Sequence, residues 1–197
     1  MSTQLPSQVL AMAARFVECL TGSRHTPMTW QTLGERIGPD GKKDGRLNQV
    51  LHGPLWIQQE QLLKLSMAGA GVFVTIAETD GKGRKKENIR KVRALFIDCD
   101  GGPPSSWHLP PSFIVHSARG PHAYWLVSDC GLDDFSSAQR QLAVHYGSDP
   151  SVTDLPRVMR VPGFFHRKGI DHAVTLEVQP NPPAYTLAEI MGGLPAL

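Results

Sequence analysis

The sequence predicts an α+β fold with a mostly antiparallel sheet, and three observations carry that prediction. Apolar, β-branched runs recur, the first four without helices between them: GVFVTIAET (71–79), VRALFIDCD (92–100), FIVHS (113–117), HAYWLVSD (122–129) and HAVTLEVQ (172–179). The turn ARGP joins the third run to the fourth at hairpin length. The proline-rich GGPPSSWHLPPS, 101–112, cannot form the crossover helix that a parallel pair would need.

Each element follows in order. Residues 7–20 set Val9, Leu10, Ala13, Phe16, Val17 and Leu20 at helical spacing, and Gly22 stops the pattern. Residues 29–37 read as a second short helix, and GPDGKKDGR, 38–46, as an exposed loop. A helix is expected over about 55–68, with Leu55, Leu62, Leu63 and Leu65 inward. These segments make a helical N-terminal portion, 1–68, with no catalytic constellation of its own. The strands follow from residue 69 on, either as a separate domain, 69–197, or as one compact unit with it. A helix over about 133–146 turns Phe135, Ala138, Leu142 and Tyr146 inward. RVMRVPG reads as a short strand ending at Pro162, and TLAEIMGGL as a closing short helix.

The 197 residues are 41% hydrophobic, enough for a real core. No run is long enough to span a bilayer and MSTQLPSQ lacks a signal-peptide pattern, so a cytoplasmic protein is expected. Cys19, Cys99 and Cys130, without CxxC spacing, suit reduced thiols rather than a disulfide framework or a zinc site. The net charge of +2 hides local clusters. Lys82, Arg84, Lys85, Lys86, Arg90, Lys91 and Arg93 crowd one segment, and Arg157, Arg160, Arg167 and Lys168 another. Such clusters suit a polyanion, and the first equally suits a solvated loop.

The chemistry centres on RALFIDCDGG, 93–102. Residues i and i+2 of a strand share a face, so Asp98 and Asp100 project together and Cys99 points away. Two close carboxylates repel, and burying them unpaired is costly. A hard divalent cation, Mg²⁺ or Mn²⁺, resolves both problems; a frayed, hydrated strand end would serve as well for this motif alone. Further on, SDPSVTDLPRVMRVPGFFHRKG, 148–169, sets Asp149 and Asp154 before Arg157, Arg160, His166, Arg167 and Lys168. Acids followed by bases suit a metal beside a phosphate chain. In HSARGPHAYW, Ser117, the amides near Arg119 and Gly120, and His122 can form an anion nest. Trp125 suits core packing, and Trp107 is the better candidate for stacking on a base.

FIDCD, SARGPHAYW and SDPSVTDLPRVMRVPGFFHRK, in that order, resemble the archaeo-eukaryotic primase superfamily, with the closest likeness to plasmid and phage RepB-like primases and primase-polymerases. The resemblance covers about residues 50–180. It implies an RRM-like antiparallel catalytic sheet flanked by helices, and a DNA primase or primase-polymerase that makes or extends primers on single-stranded DNA. Asp98 and Asp100 would then be metal ligands in a two-metal Mg²⁺ or Mn²⁺ site. The third ligand would be Asp149, which sits in the Asp-Pro context, or Asp154. His122 would contact the triphosphate of an incoming NTP or dNTP with Ser117 and Arg119, and Arg160 and Lys168 would be further phosphate-binding candidates. Lys82, Arg84, Lys85, Lys86 and Arg90 would track the template backbone. The chain has no zinc-binding motif and no GxxxxGK[ST], so any helicase would lie on another polypeptide or outside this segment.

Two rival readings stand beside this one. A haloacid-dehalogenase-type phosphatase also begins with DxDG on an apolar strand, but it needs a parallel sheet, which the proline-rich linker and the hairpin oppose. A nucleic-acid-binding domain without chemistry would share the basic clusters.

Overall fold

The computed structural model describes residues 5–149 and 151–195. It opens with helix α1, Pro6–Thr21. Pro6 occupies the first helical turn, where a missing N–H costs nothing. Gly22, in the left-handed region at φ 81°, ends the helix and donates its N–H to Glu18 O. The buried face is Val9, Ala13, Phe16, Val17 and Leu20. Phe16 meets Phe113 and Tyr124 edge-on, with centroids 5.6 and 6.2 Å away.

One sheet contains β1 (Met28–Gly34), β2 (Gln49–Gly53), β3 (Ala70–Thr75) and β9 (Val158–Arg160), in the order β2-β1-β3-β9, all antiparallel. Helix α2, Leu55–Met67, enters β3 and buries Leu55, Leu62 and Leu65. The two-residue β4 (Glu78–Thr79) pairs with β5 (Ile89–Lys91).

The second sheet is built on β8, Pro121–Val127. β6 (Ala94–Asp98) pairs with one edge of β8. β7 (Phe113–His116) pairs with the first half of its other edge, and β13 (Ala184–Tyr185) continues that edge in the parallel sense. β12 (Thr175–Val178) flanks β7, while β10 (Phe165–His166) and β11 (His172–Ala173) form a separate small hairpin. β6 and β7 point the same way but are not neighbours, because β8 runs antiparallel between them. This is not the paired parallel arrangement that the phosphatase reading requires.

Helix α3, Leu132–Tyr146, covers β6. Its buried Gln139 accepts from Phe96 N–H at 3.2 Å and donates to Phe96 O. The β6 edge that no strand pairs is satisfied in this way. Helix α4, Leu187–Met191, is capped by Thr186, which accepts from Glu189 N–H at 3.2 Å. Trp125 is fully buried and donates to Leu109 O, the core role expected of it. Trp107, the expected stacking residue, is instead packed edge-on against Trp125 and Tyr146.

The fold class is as expected, with one correction. Residues 29–37, expected to be helical, form most of β1, and 49–53 add β2. β1 is buried on both faces at nearly every position, so the two-residue alternation that marks a half-exposed strand is missing from its sequence. The apolar core runs continuously from Val9 through Leu62 and Phe96 to Leu194. Among the described residues no helix is long and apolar enough to cross a membrane.

Candidate active site

β6 delivers Asp98 to the rim of the second sheet, directly opposite His122 of β8. His122 Nε2 lies 3.4 Å from Asp98 Oδ1, with the two side chains 6% and 26% exposed. That contact lacks hydrogen-bond geometry, so Asp98 Oδ1 is a buried acceptor without a partner, and His122 Nδ1 is likewise unpartnered. Burial, then the charges of Asp100 and Asp149, push the Asp98 carboxyl up to about 6. Burial, helped by the positive charge of Arg160, pushes His122 down to about 3. At neutral pH the pair is therefore a carboxylate facing a neutral imidazole.

The alternation expected of FIDCD holds only as far as Cys99, because the strand ends at Asp98 and a turn carries Asp100 to the cleft. Cys99 turns into the core, where burial and then the neighbouring carboxylates push its thiol up to about 11. Asp100 lies just past the strand end with Arg119 Nη1 3.9 Å away. The β7–β8 turn presses on this strand end: a Cβ on Gly120 would come 1.9 Å from Cys99 O, and its φ of 153° also favours glycine. Ser117 Oγ donates to Gly120 O at 3.1 Å, and Arg119 N–H donates to Ser117 Oγ at 3.4 Å, which shapes the turn.

Asp149 follows α3. Its N–H donates to Asp98 O over 3.4 Å, joining the acidic loop to the strand end. Its Oδ1 accepts from Ser151 N–H at 2.8 Å, and that hydrogen bond holds its carboxyl below the usual range. Pro150, the other half of the Asp-Pro context, lies outside the described residues.

The first sheet supplies the facing wall. Arg160 ends β9 opposite Phe73 of β3, its guanidinium 4.7 Å from the ring centre. It forms a two-pronged ion pair with Glu35, at 2.6 and 3.1 Å, in which the side chains are only 8% and 2% exposed. Arg167 N–H also donates to Glu35 Oε2, at 2.8 Å. Burial alone would raise the Glu35 carboxyl, but the Arg160 and Arg167 hydrogen bonds outweigh it and hold it below the usual range. Gly71 makes room for this carboxylate, since a Cβ there would lie 2.5 Å from Glu35 Oε2.

Between the walls lies a cleft of about 360 Å³. Asp98, Asp100, Asp149, Ser117, Arg119, His122, Arg160 and Lys168 all line it, although they come from segments far apart in the chain. Asp154 is absent from the lining and is paired with Arg157 at 2.5 Å. The 82–90 segment is also elsewhere. Arg84 donates to Gln31 and Pro156 O, Arg90 pairs with Asp80 at 2.8 Å, and Lys82, Lys85 and Lys86 are exposed. Glu35, Lys43 and Phe73 line the cleft without having been expected there, and His166 of the basic run joins them. A larger recess of about 580 Å³ beside the end of α1 gathers Lys91 and Arg93 of the first basic cluster but none of the expected acids and not His122, so chemistry rather than size singles out the cleft.

The donor set fits a hard cation. It is made of carboxylate oxygens, one of them buried and orphaned. Among the described residues, no group of three or more His, Cys, Asp or Glu side chains is already gathered tightly enough to hold an ion. Asp149 Oδ1 is engaged by Ser151 N–H, so the carboxylates would have to draw together around an ion.

Comparison with known proteins identifies the family and the fold. Residues 67–179, more than half of the chain, match the RepB DNA-primase N-terminal domain family. A replication protein of Clostridium perfringens is 25% identical over 160 residues, covering 70% of this chain; the chain spans 39% of that relative's length. Two solved structures share the fold. The AEP domain of the cyanophage S-2L primase-polymerase superposes with a TM-score of 0.70 at 17% identity, covering 96% of this chain and 97% of that one. The catalytic domain of primase RepB′, solved with initiator DNA, superposes with a TM-score of 0.62 at 18% identity, covering 92% and 89%.

Proposed function

Because this chain belongs to the RepB DNA-primase N-terminal domain family, we propose that it is the catalytic unit of a plasmid- or phage-type replication primase, joining nucleotides on single-stranded DNA. The observation that carries the proposal is the convergence of Asp98, Asp100, Asp149, His122 and a set of cations on one cleft. Asp98, Asp100 and Asp149 would hold Mg²⁺ or Mn²⁺. Such an ion supplies Lewis-acid activation of a 3′-hydroxyl and neutralises charge on the phosphates.

The chain's own groups do the remaining work. Asp98, whose Oδ1 is buried and without a hydrogen-bond partner, would bind a cation there with no competing hydrogen bond to break. His122, neutral at physiological pH, offers an N–H to a phosphate oxygen without adding a charge that the carboxylates would trap. Ser117 and the Arg119 amide cradle one end of the triphosphate. The Arg119, Arg160 and Lys168 side chains offset the charge that builds on the leaving pyrophosphate. The exposed Lys82, Lys85 and Lys86 hold the template backbone from outside the cleft, an interaction that salt weakens.

Incubation with single-stranded DNA, Mg²⁺ or Mn²⁺ and labelled NTPs or dNTPs, with and without a primer, tests the proposal. Metal- and template-dependent incorporation, lost in Asp98→Ala and Asp100→Ala, is the expected result. Full synthesis by either variant would overturn the assignment.

A further inference from the structure

The family match begins at residue 67, yet one wall of the cleft comes from earlier in the chain. Leu33, Gly34, Glu35 and Lys43 belong to β1 and the loop after it. That loop folds back on itself. Ile37 and Lys43 form a bridge, and Gly38 N–H donates to Lys42 O at 2.8 Å. The loop also presses on β1, since a Cβ on Gly34 would meet Asp44 O at 2.4 Å. Lys43 is thereby brought to the cleft with an exposed, extensible side chain.

The acids of the neighbouring loops are already committed. Asp44 pairs with Arg46, and Asp171 pairs with Arg36 and Arg167. Among the described residues neither Lys43 nor Lys168 makes an ion pair. The two share the cleft with Arg119 and Arg160. Their mutual proximity is felt at Lys168, whose pKa is lowered by burial, against Glu35, with Arg119, Arg160 and Lys43 adding to the effect. Of these four cations, Arg160 has a buried carboxylate partner and Arg119 only a distant one. The same cleft holds Asp98, Asp100 and Asp149; with those three given to a metal and Glu35 to Arg160, the remaining cations suit a polyphosphate.

We infer that the end of β1 and its loop complete the nucleotide site: Lys43 binds the triphosphate alongside Arg119 and Lys168, and Glu35 positions Arg160 beneath them. This rests on the nucleotidyltransferase reading of the cleft. Glu35 acts through Arg160. With three hydrogen bonds converging on its carboxylate, it fixes the guanidinium on the floor of the cleft and ties the 165–168 segment to β1.

The test uses the full chain and two measurements. The first is equilibrium binding of a fluorescent nucleoside triphosphate, and of the matching monophosphate, in Mg²⁺. The second is primed-template extension. Loss of one charge-assisted contact in Lys43→Ala should weaken triphosphate binding about tenfold, with monophosphate binding changed less than about twofold. Lys43→Arg should restore most of the affinity. Glu35→Gln, which keeps the side-chain shape, should raise the nucleotide KM by a larger factor than it lowers kcat. Unchanged triphosphate affinity in Lys43→Ala would overturn the role of Lys43, and an unchanged KM in Glu35→Gln that of Glu35. If the wild-type chain binds triphosphate without extending a primer, the polymerising reading fails and the binding arm alone decides this inference. If it binds no triphosphate, the inference fails as well.

Discussion

Replacing Asp98 with Asn should make the metal-free protein more stable while abolishing its chemistry. The Asp98 carboxyl is pushed up to about 6, chiefly by burial and then by the charges of Asp100 and Asp149. An unfolded aspartate titrates near its ordinary value of about 3.9, so the folded state resists ionisation here. The sign follows: the cost is fully present above pH 6, shrinks as the pH falls, and is gone below about pH 4. A rise of this size corresponds to about 3 kcal/mol at pH 7.5, an upper bound because solvent reaches part of the side chain. Asn has nearly the same shape and no charge, so Asp98→Asn should gain up to about that amount in urea unfolding with chelator at pH 7.5. At pH 4 the gain should vanish. Adding Mg²⁺ or Mn²⁺ should stabilise the wild type by linkage and leave the variant unchanged. A variant less stable than wild type at pH 7.5, or one that gains the same stability from the metal, would refute this account of Asp98.

Other residues give independent tests. Glu35→Ala strands the Arg160 guanidinium in a buried position and should cost about 3–5 kcal/mol in denaturant unfolding; a loss below about 1 kcal/mol would show that solvent reaches the pair. Gly120→Ala forces a Cβ against Cys99 O and should lower thermal stability and nucleotide incorporation together; normal behaviour in both would disprove the tight approach. His122, held near 3 against an unfolded value of about 6.5, contributes stability that is complete above pH 6.5 and lost as the pH falls, by up to about 1.4 kcal/mol per pH unit. Asp98 works in the opposite direction between pH 6 and 4, so Asp98→Asn should show a steeper acid limb than wild type, and His122→Gln a flatter one.

What the sequence disclosed depended on which side chains advertise their surroundings. The ends of α1, α2 and α3 were legible because each has a one-sided apolar stripe with a stop such as Gly22 or Gly147. The β7–β8 hairpin was legible because apolar runs flank a short glycine-bearing turn. β1 was hidden by burial on both faces, and with it Glu35 and Lys43. A glutamate in GER and a lysine in GKK look like ordinary surface charge. Only the pairing of β1 with β3, and of β3 with β9, brings Glu35 to Arg160, 125 positions away. Arg160 itself was expected to face phosphate, and the sequence carried no sign that a carboxylate already holds it. The ambiguity between Asp149 and Asp154 was likewise three-dimensional: the backbone link from Asp149 to Asp98 brings one acid to the cleft, and the bond to Arg157 occupies the other.

The three acids are not held with equal firmness. Asp98 ends a strand that β8 clamps on one side and Gln139 on the other, and β8 is itself clamped along both edges. Asp100 lies beyond that ladder, and among the described residues the Asp149 backbone reaches Asp98 O through one hydrogen bond of 3.4 Å. The cleft is thus a vice with one fixed jaw and one sliding jaw. Any entropy lost in gripping an ion would be taken from the loop, while the strand end that carries Asp98 would stay where the core has put it.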